Sequence, residues 1–153
     1  MNMPGLRESL VHAWNHYGMA GVLVLLCAYY SWATWQEQHP VGRAAADSVA
    51  ARLQAAPQGE RSVLIVGRKV EDDAAFATAL AERLQASGFE IVATVHGEPR
   101  DARQALQRRA DAGRLLHWIA TTPECAAWTV FEGLNAKFPA LGQARLITPT
   151  SYR

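Results

Sequence analysis

The sequence has only two cysteines, Cys27 and Cys125, which excludes a disulfide scaffold and any four-cysteine zinc module. It has almost no charge imbalance, with 15 Lys and Arg against 14 Asp and Glu. That balance excludes a basic nucleic-acid-binding domain and an acidic tail, and a chain that is 50% hydrophobic is not a disordered one. A glycine-rich phosphate loop is also missing. Gly67 is followed by Arg-Lys-Val-Glu-Asp-Asp, with no second glycine to let backbone approach a pyrophosphate, and Asp72 and Asp73 would repel a phosphate there. One further absence is local: no charged residue lies between Glu8 and Glu37. The chain of 153 residues therefore joins an apolar piece to a charged one.

The apolar piece, residues 1–37, reads as a short tail and a transmembrane helix. From Gly18 to Trp35 the chain runs GMAGVLVLLCAYYSWATW. A helix from Trp14 to Trp35 would rise about 30 Å, the thickness of a bilayer's hydrocarbon core. Trp14 and Tyr17 at one end, and Tyr29, Tyr30, Trp32 and Trp35 at the other, form the aromatic belts that favour headgroup depth. Pro40 then opposes helical continuation. A cleaved signal peptide is the competing reading, on Ser31-Trp32-Ala33 as a small-x-small site. Against it stand Arg7 offset by Glu8 and the density of large aromatics. The expectation is an uncleaved single-pass anchor, N-terminus in the cytoplasm and the remainder outside it. His12 and His16 are spaced to share a metal, but no third ligand matches them and no metal is expected.

Residues 38–60 read as a helical connector and linker, Ala-rich, with Val49 and Leu53 at helical spacing and an end at Pro57-Gln58-Gly59. Residues 61–153 then alternate. Apolar runs at 62–66, 89–96, 115–120 and 144–148 predict four strands. Helical segments at 72–87, 99–112 and 123–138 separate them, the first striped by Phe76, Leu80 and Leu84. Such alternation implies an α/β fold, a small Rossmann-like three-layer domain on a four-stranded parallel sheet of order 2-1-3-4.

Ligands of open α/β sheets bind at the carboxyl ends of the strands. That rule nominates Arg68, His96, Thr121 and Thr122, with Trp128 nearby, for a small polar ligand; the plainer alternative is a solvated rim. Cys125 near a helix start, with His96 or His117 as base, is the nearest approach to a nucleophile. A buried structural cysteine is the stronger reading, with His117 inside a buried strand. Arg100, Arg103, Arg108 and Arg109 alternate with Glu98, Asp101 and Asp111 and read as a solvated helix face. No catalytic set, cofactor or nucleic-acid partner is expected.

The segments GVLVLLCAYYSWATWQEQHPVG, SVLIVGR, DDAAFATALAERLQASGFEIVATVHGEPRDARQAL, WTVFEGLNAKFP and ITPTSYR together resemble the N-terminal region of bacterial sugar ABC-transporter permeases of the ribose/xylose type. In those, a first membrane helix precedes an extracytoplasmic insert similar to half of a type I periplasmic sugar-binding protein. The resemblance implies no catalytic residue, with ATP hydrolysis on another subunit. It implies the lipid bilayer, other transporter subunits or a periplasmic binding protein as partners, and a small sugar as ligand. The membrane core of such a permease would follow, so the chain reads as a fragment or a separate anchor subunit. A membrane-tethered sensor of a sugar-like molecule is the alternative function.

Overall fold

A computed structural model describes the backbone of residues 5–33 and 40–150, and the side chains of 18–32 and 40–150. The chain divides into two compact units, parted after Glu37.

The first unit is helix α1, Gly5–Ala33. Met19, Val22, Leu23, Val24, Leu25, Leu26, Tyr29, Tyr30 and Trp32 are all exposed on it. Val22 to Leu26 are consecutive, and at about 100° per residue they carry apolar surface round the whole helix. Among the described residues no helix is long and apolar enough to cross a membrane. The expected span runs on to Trp35, outside the described residues, as are the side chains of His12, Trp14, His16 and Tyr17.

The second unit is the α/β domain. Strands β1 (Ser62–Gly67), β2 (Glu90–His96), β3 (Trp118–Thr121) and β4 (Arg145–Ile147) form one parallel sheet in the order β2-β1-β3-β4. β1 is central and buried along its whole length, as its unbroken apolar run requires. Its side chains alternate between two cores. Val63 and Ile65 join Phe76, Leu80 and Leu84 of α3 (Glu71–Ala86) on one face. Leu64 and Val66 join Ala102 and Leu106 of α4 (Pro99–Asp111) and Leu134 and Phe138 on the other. Helix α3 opens on Glu71, Asp72 and Asp73, which suit the positive end of its dipole. It closes at Gly88, whose φ of +80° a side chain would resist. Between β1 and β2 the register slips, Val63 facing Ile91 but Leu64 facing Ala93, so Val92 is an extra residue in β2.

Three sequence expectations need correction. The expected connector contains a core helix: α2, Gly42–Gln54, buries Ala45, Ala46, Val49, Ala50 and Leu53. Its alanines, which carry little signal in a sequence, let it lie close against α3. Gly42 approaches Ala75, Asp47 pairs with Arg83 at 2.6 Å, and Gln54 Nε2 donates to Ser87 Oγ at 3.0 Å. Partners rising together along both helices make them parallel, so α2 starts where α3 does, at the carboxyl edge of the sheet. β4 runs toward that edge, Ile147 standing in register with Ala120, and the last turn of α2 meets the chain just beyond it, where Arg52 Nη1 donates to the Thr148 carbonyl at 2.8 Å.

The single helix expected over 123–138 is two short ones, α5 (Pro123–Ala126) and α6 (Leu134–Lys137), followed by a 3-10 turn at Pro139–Leu141. Between them Trp128, Phe131 and Glu132 donate backbone N–H groups back to Cys125, Trp128 and Thr129 in successive turns. Gly133 then adopts φ +61°, outside helical space. The third strand also starts later than expected. The Leu115 carbonyl accepts from Arg109 Nη2 at 2.9 Å and the Leu116 N–H donates to the Leu141 carbonyl at 3.0 Å, so neither enters the ladder. His117 consequently precedes β3 instead of lying inside it. It is half-buried, with Nδ1 2.7 Å from Ser62 Oγ.

Candidate functional site

The carboxyl edge is organised by Asp73, one of the two acids whose charge argues against a phosphate after Gly67. Asp73 sits in the first turn of α3, and its carboxylate reaches back over the end of β1. Oδ2 accepts from the Arg68 backbone N–H at 2.8 Å and from Arg68 Nε at 3.0 Å, and Oδ1 accepts from Nη2 at 3.2 Å. Thr122 Oγ1 donates to Oδ2 at 3.4 Å from the end of β3. Gly67 permits this closeness, since a Cβ there would stand 3.1 Å from the Asp73 Cβ. Asp73 is 3% exposed. Burial raises its carboxyl pKa, but the Arg68 hydrogen bonds and charge outweigh burial and hold it below the usual carboxylate value. The same pair raises the Arg68 guanidinium, which also lies 3.5 Å from Glu124.

Of the nominated residues, Arg68, Thr121 and Thr122 therefore converge, but on Asp73 and on each other. Thr121 is fully buried and its hydroxyl donates to the Thr122 carbonyl at 3.4 Å. His96 stands beside Gly67 in register, exposed, with no hydrogen bond to the others. Trp128 lies past α5, half-buried and stacked on Phe131 with ring centroids 6.4 Å apart. It does not reach the Asp73 network. The position where an anion would sit in a phosphate-binding α/β domain is taken by the protein's own carboxylate.

Cys125 is fully buried in the second core. Burial pushes its thiol pKa up, and hydrogen bonds with Thr122 and Thr121 offset this only in part. That is the setting of an inert thiol. Among the described residues no group of three His, Cys, Asp or Glu side chains could hold a metal ion.

The basic patch read as one solvated face divides in two. Arg109 is drawn inward, its side chain 9% exposed, gripping Glu90 at 3.0 and 3.3 Å. The Arg109 hydrogen bonds hold the Glu90 carboxyl below its usual value. Arg100 and Arg103 instead wall a groove of about 540 Å³ between α4 and residues 129–138. Neither feature is legible in sequence: Arg109 meets partners distant in the chain, Glu90 and the Leu115 carbonyl, and the groove depends on the break in the expected helix over 123–138.

No protein family, curated protein or solved structure matches the chain. The functional reading rests on the chain's own chemistry. At the carboxyl edge that chemistry is hydrogen bonding largely satisfied within the fold, with the outer part of Arg68, Lys69, Glu124 and the His96 ring among its exposed polar groups.

Proposed function

We propose that the chain is a membrane-anchored, non-catalytic component of a sugar ABC transport system, whose α/β domain docks other proteins outside the cytoplasm of a bacterium. The observation that carries the anchor is the sleeve of exposed apolar side chains on α1. Met19, Leu25 and Trp32 are 88%, 72% and 75% exposed. Burying such side chains is worth about 1.5–3 kcal/mol each, and hydrocarbon is the surrounding that covers a helix on all sides. One further feature supports the reading. The carboxyl edge of the domain is occupied by Asp73, which favours docking over capture of a sugar-like ligand at Arg68 and Thr122.

The anchor is tested by expressing the full chain in a bacterium and extracting the membranes with alkaline carbonate. Retention in the pellet is expected, with the domain cleaved by protease added to spheroplasts. Recovery in the carbonate supernatant would overturn it. The transport assignment is tested by purification from detergent-solubilised membranes of a host carrying the chain's own genome. It fails if no ATP-binding-cassette subunit accompanies the chain.

A further inference from the structure

The groove between α4 and residues 129–138 is where cations gather without matching carboxylates. Elsewhere in the domain the arginines are largely spent within the fold: Arg68 on Asp73, Arg83 on Asp47, Arg109 and Arg114 on Glu90, Arg145 on Glu60. In the groove Arg100, Arg103 and Lys137 face a single lining carboxylate, Glu132. Arg103 has no ion pair or hydrogen bond among the described residues. Lys137 Nζ has only the Thr129 carbonyl, at 2.8 Å. Arg100 has only Glu98, at 3.2 Å across two side chains 82% and 66% exposed, an arrangement worth little. Asp101 does not line this groove: its carboxylate accepts the Glu98 backbone N–H at 2.9 Å, completes the capping box that starts α4, and lies on the adjoining surface beside Arg100 and Arg103. Pro99 ahead of it fixes the start of the helix. Val130 and Phe138 form an apolar floor continuous with the second core.

Resting on the docking reading, we infer that this groove receives an acidic, extended peptide segment of a partner protein, with an apolar side chain seated over Val130 and Phe138 and carboxylates against Arg103 and Lys137. A small anion is the poorer occupant. The cations are exposed, so each contact is individually weak and screened by salt. Useful affinity then needs several contacts along a length, which a peptide supplies and a phosphate ion does not.

The test is fluorescence anisotropy of a fluorescein-labelled heptapeptide, six glutamates around a central phenylalanine, against the full chain in mild detergent. Binding is expected, and Arg103→Glu with Lys137→Glu should weaken it about tenfold or more. Glu132→Gln should tighten it, and Arg43→Glu, on α2 away from the groove, should leave it unchanged. Should charge reversal disturb the fold, by circular dichroism, Arg103→Gln with Lys137→Gln replaces it with the same direction expected. No peptide binding, or equal binding by the double variant, would overturn the inference. So would displacement of the peptide by millimolar inorganic phosphate at constant ionic strength, since that result assigns the groove to a small anion. Carbonate extraction reports on the anchor and anisotropy on the groove, so a failure of one is read apart from a failure of the other.

Discussion

Replacing Asp73 by alanine should remove the tie that holds the carboxyl edge together. The Arg68 backbone N–H loses a charged acceptor at 2.8 Å, a hydrogen bond worth about 1.5–3 kcal/mol. The guanidinium pair adds less. With the Arg68 side chain 41% exposed, its contribution after solvent screening is ~0.5–1 kcal/mol, and the freed guanidinium can turn to water instead of remaining a buried orphan. Relief of the buried carboxylate's desolvation offsets part of the sum. The net cost is then ~2–3 kcal/mol, or a drop in Tm of about 8–12 °C for a domain of this size. Asp73→Asn keeps an oxygen acceptor without the charge and should cost about half as much. The two variants also separate by pH. Asp73's folded pKa lies below its unfolded value, so its contribution is complete above the unfolded pKa, near 4, and is lost as pH falls through the lower folded one. Wild type should lose this increment on acidification and Asp73→Asn should not. Urea denaturation of the full chain in mild detergent, followed by far-UV circular dichroism at neutral and acid pH, measures both. A cost below ~0.5 kcal/mol for Asp73→Ala, or the same acid slope in wild type and Asp73→Asn, would refute the account.

Three further outcomes follow from the same packing. Leu53→Ala should destabilise the domain by about 2–5 kcal/mol in a urea melt, because Leu53 is fully buried; a connector residue would show almost no change. Gly97→Ala should cost at least ~1 kcal/mol, since a Cβ there collides with the Asp101 carboxylate that caps α4, and a thermal melt reads the loss. With Cys27 replaced by serine, iodoacetamide should label Cys125 slowly in the native chain and rapidly in urea, because the thiol is buried with a raised pKa. Fast native labelling would revive the thiol as a reactive group.

The sheet was readable because its strands announce themselves locally. SVLIV before a glycine is buried on both faces wherever it goes, and the short helical segments between such runs leave little but parallel pairing. Elements whose role depends on a distant partner were not readable. Val49 and Leu53 show that α2 has an apolar side, but only the α3 face it meets makes it core and not tether. Residues 127–133 look helical in composition, and the break comes from Gly133 and from turn hydrogen bonds that side-chain periodicity does not register. The candidate site shows the same division. Arg68 and Thr122 were legible from strand ends, whereas Asp73 was hidden by its ordinary position at a helix start. A carboxylate in the first turn after a strand–Gly–Arg sequence is the signal that would have revealed it.

The extra residue in β2 bears on how the domain behaves at high concentration. A parallel sheet of four strands has two open margins, each a template on which a foreign strand could add. At one margin Val92 breaks the regular spacing of β2; at the other, β4 offers only Arg145–Ile147. Neither presents an even row of main-chain groups long enough to seed growth. Crowded copies should therefore stay apart instead of polymerising through their sheets.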